Sequence, residues 1–216
     1  QAMEPSGWYL VLANHQSWVD ILVLQRIFHR KIPFLKFFIK KELFWLPFLG
    51  QAWWALDFPF VKRYTRQQLQ KQPHLAGKDL EITRRACRKF EKIPVTIMNF
   101  VEGTRFTPDK HLRQRSPYPH LLKPKAGGIA LVLHSLEERI QQVLDVTIVY
   151  PDGVTSFWSF LCGNIRTVKV RVRALPVSRN LIGDYANDGS FREGLQRWLN
   201  DIWIEKNRSI EEMMAS

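Results

Sequence analysis

Residues 8–28, WYLVLANHQSWVDILVLQRIF, give the strongest indication of how this chain folds. Residues 8–13 form a short, continuous apolar run, which is typical of a strand that is covered on both faces of a sheet. Polar residues 14–17 end this strand, and the nearly apolar residues 18–28 predict a buried crossover helix with Ser17 as its N-cap. The chain is therefore expected to begin with a buried strand, a short polar loop and a helix.

Strands and helices continue to alternate along the chain. Further strands are predicted at residues 33–39, 55–61, 94–101, 143–150 and 167–173. The last is expected to be an edge strand that buries Val168, Val170 and Val172, and the Pro-rich, basic residues 106–123 predict a long surface loop. The alternation predicts a single-domain α/β fold, with a mixed, mostly parallel sheet flanked by helices.

Three more helices are predicted from residue periodicity and capping signals. Asp79 is a candidate cap for the first, and residues 127–136 form the second. The buried face of the first would consist of Ile82, Ala86 and Phe90. In the third, Ser190 and Glu193 form a capping-box pattern ahead of an apolar stripe. The stripe consists of Leu195, Trp198, Leu199, Ile202 and Trp203.

Charge and aromatic content narrow the classes of partner. The 32 Lys and Arg residues against 20 Asp and Glu residues give a formal net charge of +12, which favours anionic partners. The 8 Trp and 14 Phe residues suit a membrane interface, where aromatic rings lie at headgroup depth beside lipid phosphates. Aromatic and basic groups also bind single-stranded nucleic acid, so composition alone leaves that class open.

Cys87 and Cys162 match neither a metal-ligand spacing nor a redox pair. We therefore expect two free thiols in the core of a protein from a reducing compartment.

No apolar run reaches the roughly 18 to 20 residues that a membrane-spanning helix needs. Because strand residues begin by Trp8 and the first residue is Gln1, we expect this chain to lack an upstream segment with an apolar helix.

His15 and Asp20 form an HxxxxD pattern where the first strand gives way to the helix. Open α/β sheets place substrates at the carboxyl ends of their strands, and histidine suits a general base near neutral pH. Asp20 would lie in the first helical turn, within reach of the imidazole. The pattern alone is common, and Asp20 also has a structural interpretation as the capping-box partner of Ser17.

A second polar block, Glu102-Gly103-Thr104-Arg105, follows another apolar strand. Glycine permits a sharp turn there, and arginine offers a planar fork of donors to phosphate oxygens. The alternative interpretation is a solvated turn in which Glu102 and Arg105 pair with each other.

Together, residues 15–20 and 102–105 resemble the HxxxxD and EGTR signatures of the glycerophospholipid (lysophosphatidic acid) acyltransferase family. The pair is far more specific than either pattern. The resemblance covers nearly the whole chain, since residues 123–128 resemble the family's Lys/Gly segment and residues 144–150 its later strand block. The likeness is greatest to enterobacterial inner-membrane acyltransferases, while residues 106–107 also resemble a eukaryotic branch.

The resemblance implies one acyltransferase domain over residues 1–216 and a direct transfer without a covalent acyl-enzyme. His15 would remove the proton from the acceptor hydroxyl, and Asp20 would hold the imidazole. The acceptor oxygen would then attack an acyl thioester.

Substrate binding is implied for a second set of residues. Arg105 would bind the acceptor's phosphate and so place its hydroxyl near His15. The implied substrate-binding residues are Glu102, Gly103, Thr104, Arg105 and Lys125. Neither a metal ion nor a cofactor is implied.

The resemblance also implies partners and a location. The acceptor would be lysophosphatidic acid or another lysophospholipid, and the donor acyl-coenzyme A or acyl carrier protein. With lysophosphatidic acid the product would be phosphatidic acid, an intermediate of phospholipid biosynthesis. The enzyme would act at the inner (cytoplasmic) membrane, with its catalytic domain on the cytoplasmic side.

One block departs from the family pattern. Family members often carry a proline in the late strand block, where residues 143–146 of this chain are Val-Leu-Asp-Val. The resemblance therefore assigns no donor or acceptor role to that block.

A basic and aromatic surface is predicted between residues 26 and 54. Residues 26–41 contain six Lys or Arg residues and no acid, and residues 43–49 with Trp53 and Trp54 add apolar and aromatic groups. Such a surface suits an anionic bilayer, although the aromatic groups would alternatively complete a core. A second basic cluster is better explained by an anionic substrate: Arg105, Lys110, Arg113, Arg115, Lys123 and Lys125.

Two other classes of function have weaker support. A nucleic-acid-binding module agrees with the charge, but the chain has no recognisable binding motif. A hydrolase would use the same base to activate water, but there is no G-x-S-x-G elbow and no Cys adjacent to His15. Neither an H-E-x-x-H zinc motif nor a G-x-x-x-x-G-K nucleotide loop is present. We therefore expect an enzyme without a nucleic-acid partner.

Overall fold

The chain alternates strands and helices as its hydrophobic pattern predicts. The computed structural model describes residues 3–61, 81, 85, 87–136, 139–153 and 157–215. The strands are β1 (Tyr9–Ala13), β2 (Leu35–Lys36), β3 (Ile39–Lys40), β4 (Phe60–Val61), β5 (Thr96–Phe100), β6 (Gln142–Val149) and β7 (Lys169–Pro176). The α-helices are α1 (Val19–Phe28), α2 (Leu49–Ala55), α3 (Pro108–Gln114), α4 (Gly127–Leu136), α5 (Phe157–Leu161) and α6 (Gly189–Ala215). Short 3-10 helices lie at Lys41–Trp45, Arg88–Glu91 and Arg179–Leu181.

The central strand of the main sheet is β1. The sheet has five strands in the order β2-β5-β1-β6-β7. The first four run parallel to one another, and β7 pairs antiparallel with β6 at the edge. The predicted mixed, mostly parallel sheet is therefore confirmed. Strands β3 and β4 form a separate two-stranded parallel sheet.

Side chains of β1 alternate between two hydrophobic cores. Leu10 and Leu12 pack on the side of α4 and α6, whereas Tyr9, Val11 and Ala13 pack on the side of α1. All residues of β1 are buried. This burial on both faces explains why the strand is a continuous apolar run rather than an alternating one.

Elements with strong apolar patterns were predicted best. The bounds of β1, α1, β5, α4 and β6 lie within two residues of the predicted ones. The stripe of α6 is buried at Leu195, Leu199, Ile202 and Trp203, and Trp198 is half-buried against the same core.

The predicted strands at residues 33–39 and 55–61 are wrong in extent. The first is reduced to the two residues of β2, with β3 beginning at Ile39, and only Phe60 and Val61 of the second form a strand. Ala55 instead ends helix α2. Phe34 and Leu56 are exposed here, whereas Leu35, Ile39 and Phe58 are buried, so the apolar pattern of these segments does not record burial on both faces of a sheet.

The predicted surface loop at residues 106–123 contains helix α3. Thr107 caps this helix, since its Oγ1 accepts a hydrogen bond from the Lys110 backbone N at 3.3 Å. Pro108 occupies the first turn, where its missing N–H costs nothing. Leu121 and Leu122 are buried, so the end of this segment belongs to the core.

Both predicted caps differ from the observed ones. Helix α6 begins at Gly189 and is capped by Asp188, whose Oδ1 accepts from the Phe191 backbone N at 3.0 Å. The predicted Ser190 capping box is therefore wrong, because Ser190 already lies inside the helix. Helix α1 begins at Val19 with Trp18 at the cap position, although Ser17 Oγ accepts from the Val19 N at 3.2 Å.

Three further predictions have mixed outcomes. Strand β7 lies at the edge, and Val168 and Val170 pack against the core, but Val172 is exposed. Both cysteines are free, yet only Cys87 is buried and Cys162 is exposed. The predicted cap and most of the helix after it, residues 79–80, 82–84 and 86, lie outside the described residues.

A buried ion pair joins α6 to the sheet. Lys206 is fully buried, and its Nζ lies 2.6 Å from Asp145 Oδ1 and 2.5 Å from the Val146 carbonyl oxygen. Arg173 of β7 binds the other oxygen of Asp145 at 2.7 Å. Burial lowers the pKa of Lys206, and the adjacent Asp145 carboxylate opposes that shift. The pair holds β6, β7 and α6 together because neither charge has access to water.

We predict that Lys206→Met lowers the free energy of unfolding by about 3 kcal/mol, because Asp145 stays buried and loses one of its two cations. Urea denaturation at neutral pH measures this change. The control is Arg197→Met, an exposed position on the same helix, for which a change within about 0.5 kcal/mol is expected. Equal losses in both variants would contradict a stabilising role for the pair.

Candidate active site

Three loops meet at one edge of the main sheet. His15 lies two residues after β1, Glu102 two residues after β5, and Tyr150 directly after β6. These strands are parallel neighbours, so their carboxyl ends share one edge. The two predicted motifs are therefore brought together by the strand order.

The Asp20 carboxylate is the centre of this loop cluster. Its Oδ2 lies 2.9 Å from His15 Nδ1 and accepts from the backbone N atoms of Gln16 at 2.7 Å and Ser17 at 2.9 Å. Its Oδ1 accepts from the Tyr150 hydroxyl at 2.6 Å. The predicted contact with the imidazole is present. The Ser17 backbone N donates to Asp20 as the predicted capping box requires, but the Ser17 hydroxyl accepts from the Val19 N instead of completing the box. Asp20 therefore has both interpretations at once.

The imidazole of His15 is held on several sides. Its ring stacks on Phe100, with 3.8 Å between ring centroids and 12° between planes. The His15 backbone N donates to Glu102 Oε2 at 2.8 Å, and its carbonyl oxygen accepts from the Phe106 N at 2.7 Å. With Nδ1–H donated to Asp20, Nε2 carries the free lone pair and has no hydrogen-bond partner among the described residues. This is the tautomer that a general base requires.

Glu102 holds the His15 loop and the Leu122 segment together from the interior of the protein. It is fully buried, and its two oxygens accept from the backbone N atoms of His15 and Leu122, each at 2.8 Å. Burial raises the pKa of Glu102 to about 7, although these two hydrogen bonds and the Lys206 charge oppose the shift. Glu102 therefore binds backbone on both sides rather than pairing with Arg105, and it frames the site from inside the protein.

The rest of the EGTR block forms an exposed turn. Gly103 has a φ of +71°, a conformation that strongly favours glycine, and its N donates to the Phe100 carbonyl oxygen at 2.9 Å. Thr104 Oγ1 accepts from Lys110 Nζ at 2.8 Å, and the same Nζ donates to the Arg105 carbonyl oxygen at 3.0 Å. Lys110 thus holds the backbone of the turn in place.

Two cations flank this turn. The Arg105 guanidinium is exposed and lies over the Trp18 ring, 5.2 Å from its centroid. Lys125 is also exposed, and its Nζ lies 3.3 Å from where a Cβ on Gly103 would lie. A larger residue at Gly103 would therefore displace Lys125.

An open pocket of about 540 Å³ lies beside the loop cluster. Its polar and basic lining includes Gln16, Arg105, Lys110, His120 and Tyr150. Its apolar lining includes Phe106, Val149, Ile210 and Met214. His15 does not itself line the pocket, but its neighbour Gln16 does, so the pocket adjoins the loop that carries the imidazole. A lining that combines basic and apolar residues suits an amphipathic anion.

Sequence reasoning missed three members of the site. Tyr150 and Phe100 both lie at the carboxyl ends of neighbouring strands, which was their one available signal. Asn14 is fully buried, and its side-chain amide exchanges two 2.9 Å hydrogen bonds with the Ile148 backbone, so it ties the His15 loop to β6. Its role depends on which strand neighbours β1, and the sequence does not record that.

Comparison with known proteins agrees with the site. A family model described as Acyltransferase matches residues 1–151, which contain the whole loop cluster. The chain belongs to the acyltransferase family. It is 23% identical to 1-acyl-sn-glycerol-3-phosphate acyltransferase 3 of Arabidopsis thaliana, over 94% of this chain and 52% of that protein. It is 25% identical to 1-acyl-sn-glycerol-3-phosphate acyltransferase delta of Mus musculus, over 94% of this chain and 52% of that protein.

A third relative is named for a different activity. Lysocardiolipin acyltransferase 1 of Danio rerio is 23% identical over 96% of this chain and 53% of its own length. The chain thus spans about half the length of the curated relatives it matches. These relatives confirm the predicted family, while the greater likeness to enterobacterial members stays a prediction.

The acyltransferase should show the ionisation of Glu102 in its pH-dependent stability. The pKa of Glu102 is raised from 4.5 to about 7, so the folded state binds this proton more tightly than the unfolded state does. The stabilisation from Glu102 is full below pH 4.5 and is lost as pH rises through about 7. We predict that the stability of wild type relative to Glu102→Gln falls across this range, by up to about 3 kcal/mol.

Urea denaturation at intervals between pH 4.5 and 8 measures this difference. Glu193→Gln, an exposed position on α6, is the matched control, and its difference from wild type should change little with pH. A pH-independent difference for Glu102→Gln would contradict the burial argument.

Proposed function

We propose that this acyltransferase moves a fatty acyl group from acyl-coenzyme A or acyl carrier protein to lysophosphatidic acid, giving phosphatidic acid. The main support for this proposal is the orientation of the His15 imidazole. Buried Asp20 orients it through Nδ1, and Nε2 has no hydrogen-bond partner in the described part of the chain. The activities named for the plant and mouse relatives support the same reaction.

The reaction needs only the two substrates and one base. His15 Nε2 takes the proton from the acceptor hydroxyl as its oxygen attacks the thioester carbonyl carbon. Asp20 stabilises the imidazolium that forms. When the tetrahedral intermediate collapses, the carbon–sulfur bond breaks and the thiolate receives the proton from His15. The new ester needs no metal ion, redox partner or covalent acyl-enzyme.

The phosphate of lysophosphatidic acid binds at the basic side of the pocket. Arg105 and Lys110 line this pocket, together with His120. Arginine binds phosphate oxygens through two parallel hydrogen bonds, and the Trp18 ring and the Lys110 contacts limit the freedom of the Arg105 turn. An anchored phosphate holds the acceptor's hydroxyl near Nε2, and such positioning lowers the barrier by several kcal/mol.

The second candidate reaction is remodelling of a larger lysophospholipid. The Danio rerio relative favours this reaction, because its name refers to lysocardiolipin. Lys110 and His120 line the pocket besides Arg105, and these basic groups also suit a larger anionic headgroup. Competition between lysophosphatidic acid and a lysophospholipid with a larger headgroup, in one assay, separates the two candidates.

We predict that His15→Ala lowers the rate of acyl transfer by about 10²- to 10⁴-fold, because the general base is removed. Labelled acyl-coenzyme A or acyl carrier protein and lysophosphatidic acid in detergent micelles provide the assay. The control is His134→Ala, a half-buried histidine of α4, which should keep wild-type activity.

Phosphatidic acid formed by wild type and the control but not by His15→Ala would support both the reaction and its base. A folded, micelle-binding wild type that transfers no acyl group from either donor to any lysophospholipid would overturn the proposal.

The membrane surface is the second partner in the proposal. Trp45 is 82% exposed and Phe48 is 86% exposed, and Trp54 is exposed beside them in sequence. For these residues the alternative of a completed core is wrong. Lys41 is exposed in the same 3-10 helix as Trp45, so a cation and an aromatic group are presented together, and Arg30 is also exposed. None of the described helices is both long and apolar enough to cross a membrane.

This surface fits an anionic leaflet. Aromatic rings enter at headgroup depth, and each nearby Lys or Arg adds about 1 kcal/mol of attraction. Docking there places the enzyme at the lysophospholipid's own interface. The proposed location is the inner membrane, with the catalytic domain on its cytoplasmic side.

We predict that the double variant Trp45→Ala/Phe48→Ala binds vesicles containing phosphatidylglycerol at least about tenfold more weakly than wild type, because two exposed aromatic anchors are lost. Co-sedimentation measures the bound fraction, which should also fall in high salt. The control is Ile204→Ala, an exposed apolar position on α6. Equal binding by the double variant and the control would rule out this surface as the anchor.

A further inference from the structure

The end of β6 supplies a tyrosine to the candidate active site. We propose that Tyr150 is a positioning residue for the His15–Asp20 pair, because its hydroxyl holds the Asp20 carboxylate in the orientation that the imidazole needs. This inference rests on the proposed function of His15 as general base. It gives a role to the late strand block, whose function the family resemblance leaves unassigned.

The two Asp20 oxygens accept unequal numbers of hydrogen bonds. Oδ2 interacts with three donors, which are His15 Nδ1 and the backbone N atoms of Gln16 and Ser17. Oδ1 accepts one hydrogen bond, from the Tyr150 hydroxyl at 2.6 Å. Asp20 is fully buried. Without this hydroxyl, Oδ1 would be a buried anionic oxygen with no donor among the described residues, which is costly.

Loss of the Tyr150 hydroxyl would change the orientation of the Asp20 carboxylate. A carboxylate with one unsatisfied oxygen gains by rotating that oxygen toward the backbone N–H groups of Gln16 and Ser17. Such a rotation moves Oδ2 away from His15 Nδ1, and the imidazole loses the partner that fixes its tautomer. Because the Tyr150 hydroxyl donates a hydrogen bond to Oδ1, the carboxylate gains nothing by rotating.

Tyr150 is itself held in place. It is 5% exposed and directly follows β6, whose last residues pair with β7. Asn14 joins the Ile148 backbone through two 2.9 Å hydrogen bonds, so the strand end cannot shift independently of the loop that carries His15. Burial raises the pKa of Tyr150, and the Asp20 charge raises it further, so the phenol stays a donor at neutral pH.

Tyr150 also lines the pocket with Gln16 and Arg105. A substrate contact is therefore the competing role. The two roles separate kinetically, since loss of a substrate contact raises KM, whereas loss of the carboxylate's orientation lowers kcat.

Tyr150→Phe tests the inference because it removes the hydroxyl and keeps the ring. We expect kcat to fall about 10- to 100-fold, the size of a lost hydrogen bond to a charged group, with KM for lysophosphatidic acid unchanged within about twofold. The matched control is Tyr9→Phe, which removes a buried tyrosine hydroxyl at the opposite end of β1, where it accepts from the Glu4 N. The control should keep wild-type kcat.

The pH–rate profile gives a readout that a purely structural role would not move. With the Tyr150 hydroxyl gone and the Asp20 carboxylate turned away from Nδ1, the imidazolium is less stabilised, so the acidic limb of kcat should move to lower pH. The titratable groups facing Asp20 are His15, Glu102 and Tyr150, from the loops after β1, β5 and β6, and Glu102 in turn faces Lys206 of α6. The comparison with Tyr9→Phe at each pH removes effects common to both proteins.

A spectroscopic measurement keeps the test independent of turnover. Imidazole ¹H–¹⁵N spectra, assigned with His15→Ala, should show a displaced His15 Nδ1–H signal in Tyr150→Phe and not in Tyr9→Phe. An unchanged His15 signal, or a higher KM with unchanged kcat, would overturn the positioning role. If wild type transfers no acyl group, the proposed function fails, and the His15 signal still decides whether Tyr150 orients the pair.

Discussion

The site depends on the hydrogen bonds that the buried Asp20 carboxylate accepts. One buried group closes the turn between β1 and α1 through the Gln16 and Ser17 backbone N atoms and orients the His15 imidazole. The structural and the catalytic interpretation of the HxxxxD pattern are therefore the same set of hydrogen bonds. Because the carboxylate is out of contact with water, each of its oxygens needs a protein donor, and Tyr150 supplies the one for Oδ1.

Two further buried polar groups join the loops to one another. Glu102 connects the His15 backbone N to that of Leu122, and Asn14 connects the same loop to Ile148 of β6. A buried polar network stabilises a unique arrangement only when all its members are satisfied. Hydrogen bonds from these side chains to the backbone thus hold the loops after β1 and β5 and the end of β6 together, and they fix the position of the His15 loop. The exposed turn that carries Arg105 follows Glu102 directly.

Strand β6 links this edge to the rest of the protein. Its residue Asp145, in the block that departs from the family pattern, forms the buried pair with Lys206 and binds Arg173 of β7. Its carboxyl end presents Tyr150. The long helix α6 therefore stabilises the strand that orients Asp20, and its residues Ile210 and Met214 also line the pocket.

The sequence by itself determined the α/β class, the elements β1, α1, β5, α4 and β6, and the two motifs, because burial on both faces leaves a continuous apolar run and a polar loop at its end. Helix α2 was not predictable, since the exposed Trp54 and its neighbours imitate a buried pattern. Only the tertiary structure decided the roles of Glu102 and Tyr150. Their partners His15 and Asp20 lie 87 and 130 residues away in sequence, respectively, and they meet only because parallel β1, β5 and β6 are neighbours.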